Sequence, residues 1–301
     1  MVGKSDNLQL AKATPIPAIL NHYGLSGQQH GNNLFYYSPW RAEKVRSFCV
    51  RIKQNTWIDY GSREWGDGID LMAKLENCTT GEAINLIVHG KKNYRSIKLE
   101  PPVDTKIEIL TIEKVAKPEL KDYLCSRKID LDIADKYVME AKIQFTKSSK
   151  VERVLAFKNN KNGYEFRTSW LKVSNSPKWY TTIKGENKDY RIFEGFFDFL
   201  SALTYFKRDS FEENVIVLNS LSFLTGLLDT KLFVDCVVEL FLDNDRAGDE
   251  AVDMCVDAGL AVQDKRVVFA GYKDFNDLLL GKQKDKVISK EEFYYFQKNI
   301  N

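Results

Sequence analysis

The tightest constraint on the fold lies between residues 190 and 280, where four short apolar runs alternate with four helical stretches. "YRIFEG" precedes "FFDFLSALTYF", and "NVIVLNS" precedes "LSFLTGLLD". "CVVELFLDND" precedes "AGDEAVDMCVDAG", and "KRVVFAG" precedes "YKDFNDLLL". Runs that are largely apolar, rather than apolar at every second position, belong to strands buried on both faces. Interleaved with helices, they predict a parallel sheet covered on two sides. The working groups of such sheets lie beyond the carboxyl ends of the strands. Acids stand at those ends here: Glu194 after the first, Asp243 and Asp245 after the third, and Asp274 just past the fourth. Asp198 follows Glu194 by four residues and so falls on the same side of the next helix. Left bare, these carboxylates repel and raise one another's pKa. A hard divalent cation removes that conflict; Mg2+ suits a few carboxylates plus substrate phosphates, with Mn2+ as the substitute.

Rival readings of Asp243–Asp245 explain less. An EF-hand loop starting at Asp243 wants an oxygen ligand at its fifth position and Glu at its twelfth, where Ala247 and Met254 stand. A phosphatase that forms an aspartyl-phosphate would have a small hydroxyl residue soon after the pair, whereas Arg246 and Ala247 follow. A helix N-cap accounts for one Asp but not for the acids at the other strand ends.

A chain of 301 residues suggests two or three domains. The boundaries read as 1–90, a charged, Pro-containing linker at 91–118, then 119–189 and 190–301. Residues 14–23 read as a short helix with prolines near its start. "NLFYYSPW" and "RSFCVRIKQNTWIDYG" read as strands, "DGIDLMAKLE" and "TTGEAINLIVHG" as helices, the second capped by Thr79 or Thr80. "PELKDYLCSRKIDLDIADKYV" has helical spacing, and "ERVLAFKNNKNGYEFRTSWLKV" reads as a hairpin turning at "NNKNG".

Charge is segregated. Residues 141–191 carry 12 Lys/Arg against 4 Asp/Glu, and residues 192–277 carry 7 against 17. A basic segment beside an acidic one suits a protein that grips a polyanion and holds cations nearby; the alternative is two surfaces that attract each other. No apolar run approaches the ~18 residues of a membrane span. The N-terminus lacks the apolar core of a signal peptide, and the five cysteines form no C-x-x-C pair. A cytoplasmic protein with no membrane contact is therefore expected.

"IFEGFFD" and "LFLDNDRAGDEA" resemble the Toprim domain shared by bacterial-type primases, topoisomerases and some nucleases, and most closely that of the primases. "YKDFNDLL" is similar to the Lys-Asp-Pro-Asp segment of primases, with Asn276 where a second acid is usual. Upstream, "YLCSRKID" resembles their "YL-x-x-RG-I". The hairpin keeps Arg153, Gly163, Phe166 and Arg167, and "PKWYTT" keeps Pro177 and Lys178 of "PKYLNS". "SLSFLT" lacks the Gly-Thr pair common there. The N-terminal part resembles the primase zinc ribbon in layout, but Ser38, Arg41, Asp59 and Ser62 hold the four metal positions. Zinc is bound by thiolates and imidazoles, so no zinc is expected, with Trp40, Trp57, Tyr60 and Trp65 filling the space. Those aromatics, interleaved with Arg41, Lys44, Arg46, Arg51, Lys53 and Arg63, would suit single-stranded template; alternatively they are the core of a small sheet.

The resemblance implies an α+β, multidomain chain: a small antiparallel ribbon-like N-terminal domain, then a primase core ending in a parallel α/β Toprim domain. It implies a DNA primase that makes short RNA primers on single-stranded DNA from nucleoside triphosphates. Glu194, Asp243 and Asp245 would be catalytic, and Asp198, Asp243, Asp245 and Asp274 would hold Mg2+ or Mn2+. Arg153, Arg167, Lys178 and Lys273 would contact nucleic acid or nucleotide. A replicative helicase is a further candidate partner, although the chain stops soon after "DFNDLL" without a helicase-binding C-terminal domain. That architecture resembles plasmid or mobile-element primases. A Toprim nuclease and a non-catalytic nucleic-acid-binding accessory protein remain the alternatives.

Overall fold

The computed structural model describes residues 4–30, 33–43, 46–90, 107–146 and 148–283. The chain divides into two compact units, Met1–Val103 and Asp104–Asn301. Its architecture is α+β, with two antiparallel sheets followed by a largely parallel one.

The first unit contains α1 (Lys4–Ala13), α2 (Ile16–His22), β1 (Gln28–His30), β2 (Asn33–Tyr36), β3 (Phe48–Arg51), β4 (Thr56–Asp59), β5 (Glu64–Gly66), α3 (Gly68–Glu76) and α4 (Thr80–His89). Its strands form an antiparallel meander in chain order. Thr79 is the N-cap of α4: its hydroxyl accepts from the Glu82 amide while the Glu82 carboxylate accepts from the Thr79 amide, a reciprocal capping box. α1 was not expected. The core centres on Phe48, stacked on Trp57 at 5.1 Å, with Trp40 edge-on to both. Trp57 and Tyr60 are buried as expected, but Trp65 is 53% exposed on the edge strand β5.

Ser38, Arg41, Asp59 and Ser62 do come together, through polar contacts. Asp59, fully buried at the end of β4, accepts from Ser38 Oγ at 2.8 Å, Arg41 Nη2 at 2.9 Å, and the amides of Gly61 and Ser62 at 2.8 and 3.2 Å. Glu43 accepts from the same Arg41 nitrogen at 2.7 Å and also from Ser47 Oγ at 2.6 Å. A Cβ at Gly61 would sit 2.1 Å from Arg41 Nη2, so any side chain there would displace the guanidinium from Asp59 and Glu43. Burial alone would raise the Asp59 carboxyl; the bonds from Arg41 and Ser38, with the Arg41 charge, outweigh it and hold the carboxyl below the usual range. The aromatic packing expected in this region is therefore joined by an ion-pair network that needs no metal. We expect the first unit to keep its fold in a chelator, with no stoichiometric zinc by elemental analysis. Unfolding on chelation would contradict this account.

The second unit begins with β6 (Ile107–Glu113), α5 (Pro118–Ser126), α6 (Leu131–Tyr137), β7 (Met139–Phe145), β8 (Val151–Lys158), β9 (Tyr164–Arg167) and β10 (Lys172–Ser174). These strands form one antiparallel sheet in the order β10-β9-β8-β7-β6. β6 corrects the linker expected at 91–118. "IEILTIE" has enough β-branched residues to pair along β7 in an edge strand, while residues 91–106 lie outside the described ones. The β8–β9 hairpin turns at 159–163, as expected. There Asn159 Oδ1 accepts from the amides of Lys161 and Gly163.

The third sheet holds β11 (Thr181–Ile183), β12 (Tyr190–Phe193), β13 (Asn214–Val217), β14 (Val237–Phe241) and β15 (Ala261–Asp264), in the order β11-β13-β12-β14-β15. β12 to β15 are parallel and β11 is antiparallel to β13. Four helices accompany it: α7 (Phe196–Phe206), α8 (Leu224–Leu228), α9 (Arg246–Asp257) and α10 (Phe275–Leu280). The chain passes from β12 to β13 on one side, then returns to β14 on the other, so the sheet reverses between β12 and β14. Ligand crevices open at such reversals. The fourth strand lies earlier than expected: "KRVVF" is a 3-10 helix at Lys265–Phe269. Arg266 is drawn inward, with Nε bonded to both oxygens of Asp264 at 3.0 Å and Nη1 to Asp249 at 2.6 Å. β15 is an edge strand and shows no continuous apolar run.

Candidate active site

The loops leaving β12 and β14 carry Glu194 and Asp243 to the point where the sheet reverses. Asp198 lies in the first turn of α7 and is only 9% exposed. Carboxylate oxygens of Asp198, Asp243 and Asp274 lie within 4.8 Å of one another. Burial pushes the Asp198 carboxyl well above its ordinary pKa, and the charges of Asp274, Asp243 and Glu194 push it further. The donors are all hard oxygens, a set that fits Mg2+ or Mn2+.

Local bonds set this geometry. The Asn244 amide donates to the Lys273 carbonyl at 2.6 Å, and its side chain donates to the carbonyls of Phe269 and Tyr272. Asn244 thereby pins the loop after β14 to the loop that carries Asp274. Gly248 lets α9 approach: a Cβ there would sit 2.0 Å from the Asp243 carbonyl oxygen. Asn276, where a second acid was usual, is fully buried and acts as a strut. Its side chain donates to Ser201 Oγ at 2.8 Å and the Arg127 carbonyl at 2.9 Å, and its amide points to Asp198 Oδ1 at 3.4 Å.

The expected acids divide into two kinds. Asp198, Asp243 and Asp274 converge, with Glu194 adding its charge to theirs. Asp245 caps α9, accepting from the Gly248 amide at 3.0 Å, so the cap reading suits this one member of the pair. Asp274 also caps α10 through the Asp277 amide at 2.7 Å.

The basic residues divide as well. Arg153 is engaged by buried Glu140 at 2.6 Å. Arg167 lies over the Phe196 ring at 5.6 Å, while Lys178 and Lys273 are exposed. Arg127, which was not among the expected site residues although "YLCSRKID" contains it, places its guanidinium 4.8 Å from the Phe197 ring. Two arginines therefore lie within cation–π distance of the two phenylalanines between Glu194 and Asp198.

Residues 191–279 match the Toprim-like family profile, and residues 109–176 match a domain of unknown function (DUF8464). Comparison with curated proteins gave no match. Among solved structures, the chain is similar to the Aquifex aeolicus primase (zinc-binding and RNA polymerase domains), at 16% identity and a TM-score of 0.39, over 98% of this chain and 85% of that one. It is also similar to the primase fragment of the bacteriophage T7 primase-helicase protein, at 15% identity and a TM-score of 0.43, over 79% of this chain and 90% of that one.

Proposed function

We propose that the chain is a primase-type nucleotidyltransferase that joins ribonucleotides on a single-stranded DNA template. The observation that carries this reading is the convergence of Asp198, Asp243 and Asp274 at the carboxyl edge of a Toprim-like sheet. Mg2+ or Mn2+ held by these three carboxylates would supply Lewis-acid stabilisation of phosphate charge and a more acidic attacking hydroxyl. Arg127 and Arg167, which lie over the Phe197 and Phe196 rings, bind phosphate oxygens. Glu194 moves the proton of the attacking hydroxyl. Exposed Lys178 and Lys273 hold template or triphosphate as point charges. Asp245 positions Asp243 by fixing the start of α9, and Arg153 supports the antiparallel sheet through Glu140.

The same carboxylates could serve phosphodiester cleavage; synthesis is favoured by the ordered "YLCSRKID", hairpin and "PKWYTT" segments upstream. The test combines single-stranded DNA, labelled ribonucleoside triphosphates and Mg2+ or Mn2+, with products sized on a gel. A ladder of short RNA is expected. Shortened template would mean a nuclease, and no product in either metal would contradict enzymatic function. Single-strand binding should also weaken with salt. Lys178→Ala with Arg167→Ala should flatten the slope of log K against log salt by roughly 0.7 per phosphate contact removed. An unchanged slope would place the phosphate contacts elsewhere.

A further inference from the structure

Glu165 has no part in the chemistry described so far. In the β8–β9 register it lies opposite Phe157, and Arg167 lies opposite Leu155. Residues directly opposite in a sheet share a face. Leu155 and Phe157 are buried in the core that includes α7, with Phe157 stacked on Phe196 at 5.0 Å. The Glu165–Arg167 pair thus lies on the sheet face that packs against the first turn of α7, the turn that also carries Asp198. The side chains are only 9% and 13% exposed, yet they meet loosely, at 3.6 Å through one nitrogen. That nitrogen also donates to the Phe166 carbonyl at 3.0 Å.

Burial raises the Glu165 carboxyl to about 7, against the opposing pull of Arg167, Lys178 and Lys172. Burial lowers Arg167, with Glu165 and Tyr123 opposing and Arg127 adding to the lowering. The groups facing this carboxyl are therefore Arg167 on its own strand, Lys172 on the neighbouring strand β10 and Lys178 in the following segment, with Tyr123 and Arg127 reaching Arg167 from α5 and its C-terminus.

We propose that Glu165 is a positioning residue for Arg167: it neutralises the guanidinium while the site is empty and takes up one proton from solvent when Arg167 turns to a phosphate group. The inference rests on the reading of Arg167 as a phosphate contact. A phosphate competes for the guanidinium, and an ionised carboxylate left without its partner among buried side chains is costly. Protonation removes that charge, so phosphate binding and proton uptake are linked.

The test uses the full chain with two probes, ATP in Mg2+ and an oligothymidylate, each titrated between pH 6 and 8.5. Wild-type affinity should fall by up to about tenfold per pH unit above 7, and calorimetry in buffers of different ionisation heat should show proton uptake. Glu165→Gln should keep the tight binding at pH 8, and comparison with it cancels the titration of ATP itself. The probe that shows the effect identifies whether the phosphate belongs to the triphosphate or to the strand. In an Arg167→Ala background, Glu165→Gln should change nothing further. Parallel pH profiles for wild type and Glu165→Gln, or wild-type binding without proton uptake, would overturn the inference alone. Failure of both probes to bind at any pH would overturn the proposed function with it.

Discussion

Asp243→Asn should reduce metal-dependent incorporation by more than about a hundredfold, since even an outer partner of a metal ligand is worth about 10- to 100-fold. The fold should survive. The amide has the shape of the acid, and it is the Asp243 carbonyl, not its carboxylate, that Gly248 and Arg266 approach. Without metal, the variant should be as stable as wild type or more so. Asp198 is raised by burial and then by its acidic neighbours, so its stability contribution is full at low pH and is lost as pH rises through the raised pKa. Removing the Asp243 charge removes part of that loss. Thermal melts in a chelator at pH 5 and pH 8 should show a smaller difference for Asp243→Asn than for wild type. Unimpaired incorporation by the variant would make the carboxylate dispensable and the proposed mechanism wrong.

Arg41→Ala should destabilise the first unit by up to about 3–5 kcal/mol, because it leaves a fully buried carboxylate without its counter-charge, held by Ser38 and two amides. The pH dependence follows from the lowered pKa of Asp59. The stability this acid contributes is present above its unfolded pKa and is lost as pH falls through the folded one. Arg41→Ala should move that loss to higher pH. Hydrogen exchange of the full chain reads the effect locally: amides of β3 and β4 should lose protection while those of β12 and β14 keep theirs. Uniform protection in the variant would show that aromatic packing around Phe48 and Trp57 suffices.

The parallel sheet was legible because strands covered on both faces are largely apolar rather than alternating, and three of the four expected strands stand where their runs do. The fourth was displaced because β15 is an edge strand without an apolar run, while the apolar residues of "KRVVF" lie in a 3-10 turn anchored by Arg266. The acids at the strand ends could be read from position alone. The division of labour between Asp243 and Asp245 could not, since a cap and a cluster member are the same residue type after the same strand. Arg127 and Asn276 were opaque for another reason. Each meets α7 from a segment remote in sequence, Arg127 at the Phe197 ring and Asn276 at Ser201. The network around Asp59 was half legible: four positions were singled out as non-ligands, but only the fold shows them meeting.

The most direct test of the central claim is binding of Mn2+ to the full chain, followed by electron paramagnetic resonance, for wild type, Asp198→Asn, Asp243→Asn and Asp274→Asn. The account predicts saturable binding in wild type that each substitution weakens, with Asp245→Asn affecting it least. Equal Mn2+ affinity in wild type and all three variants would show that the cluster is not a cation site and would contradict the account.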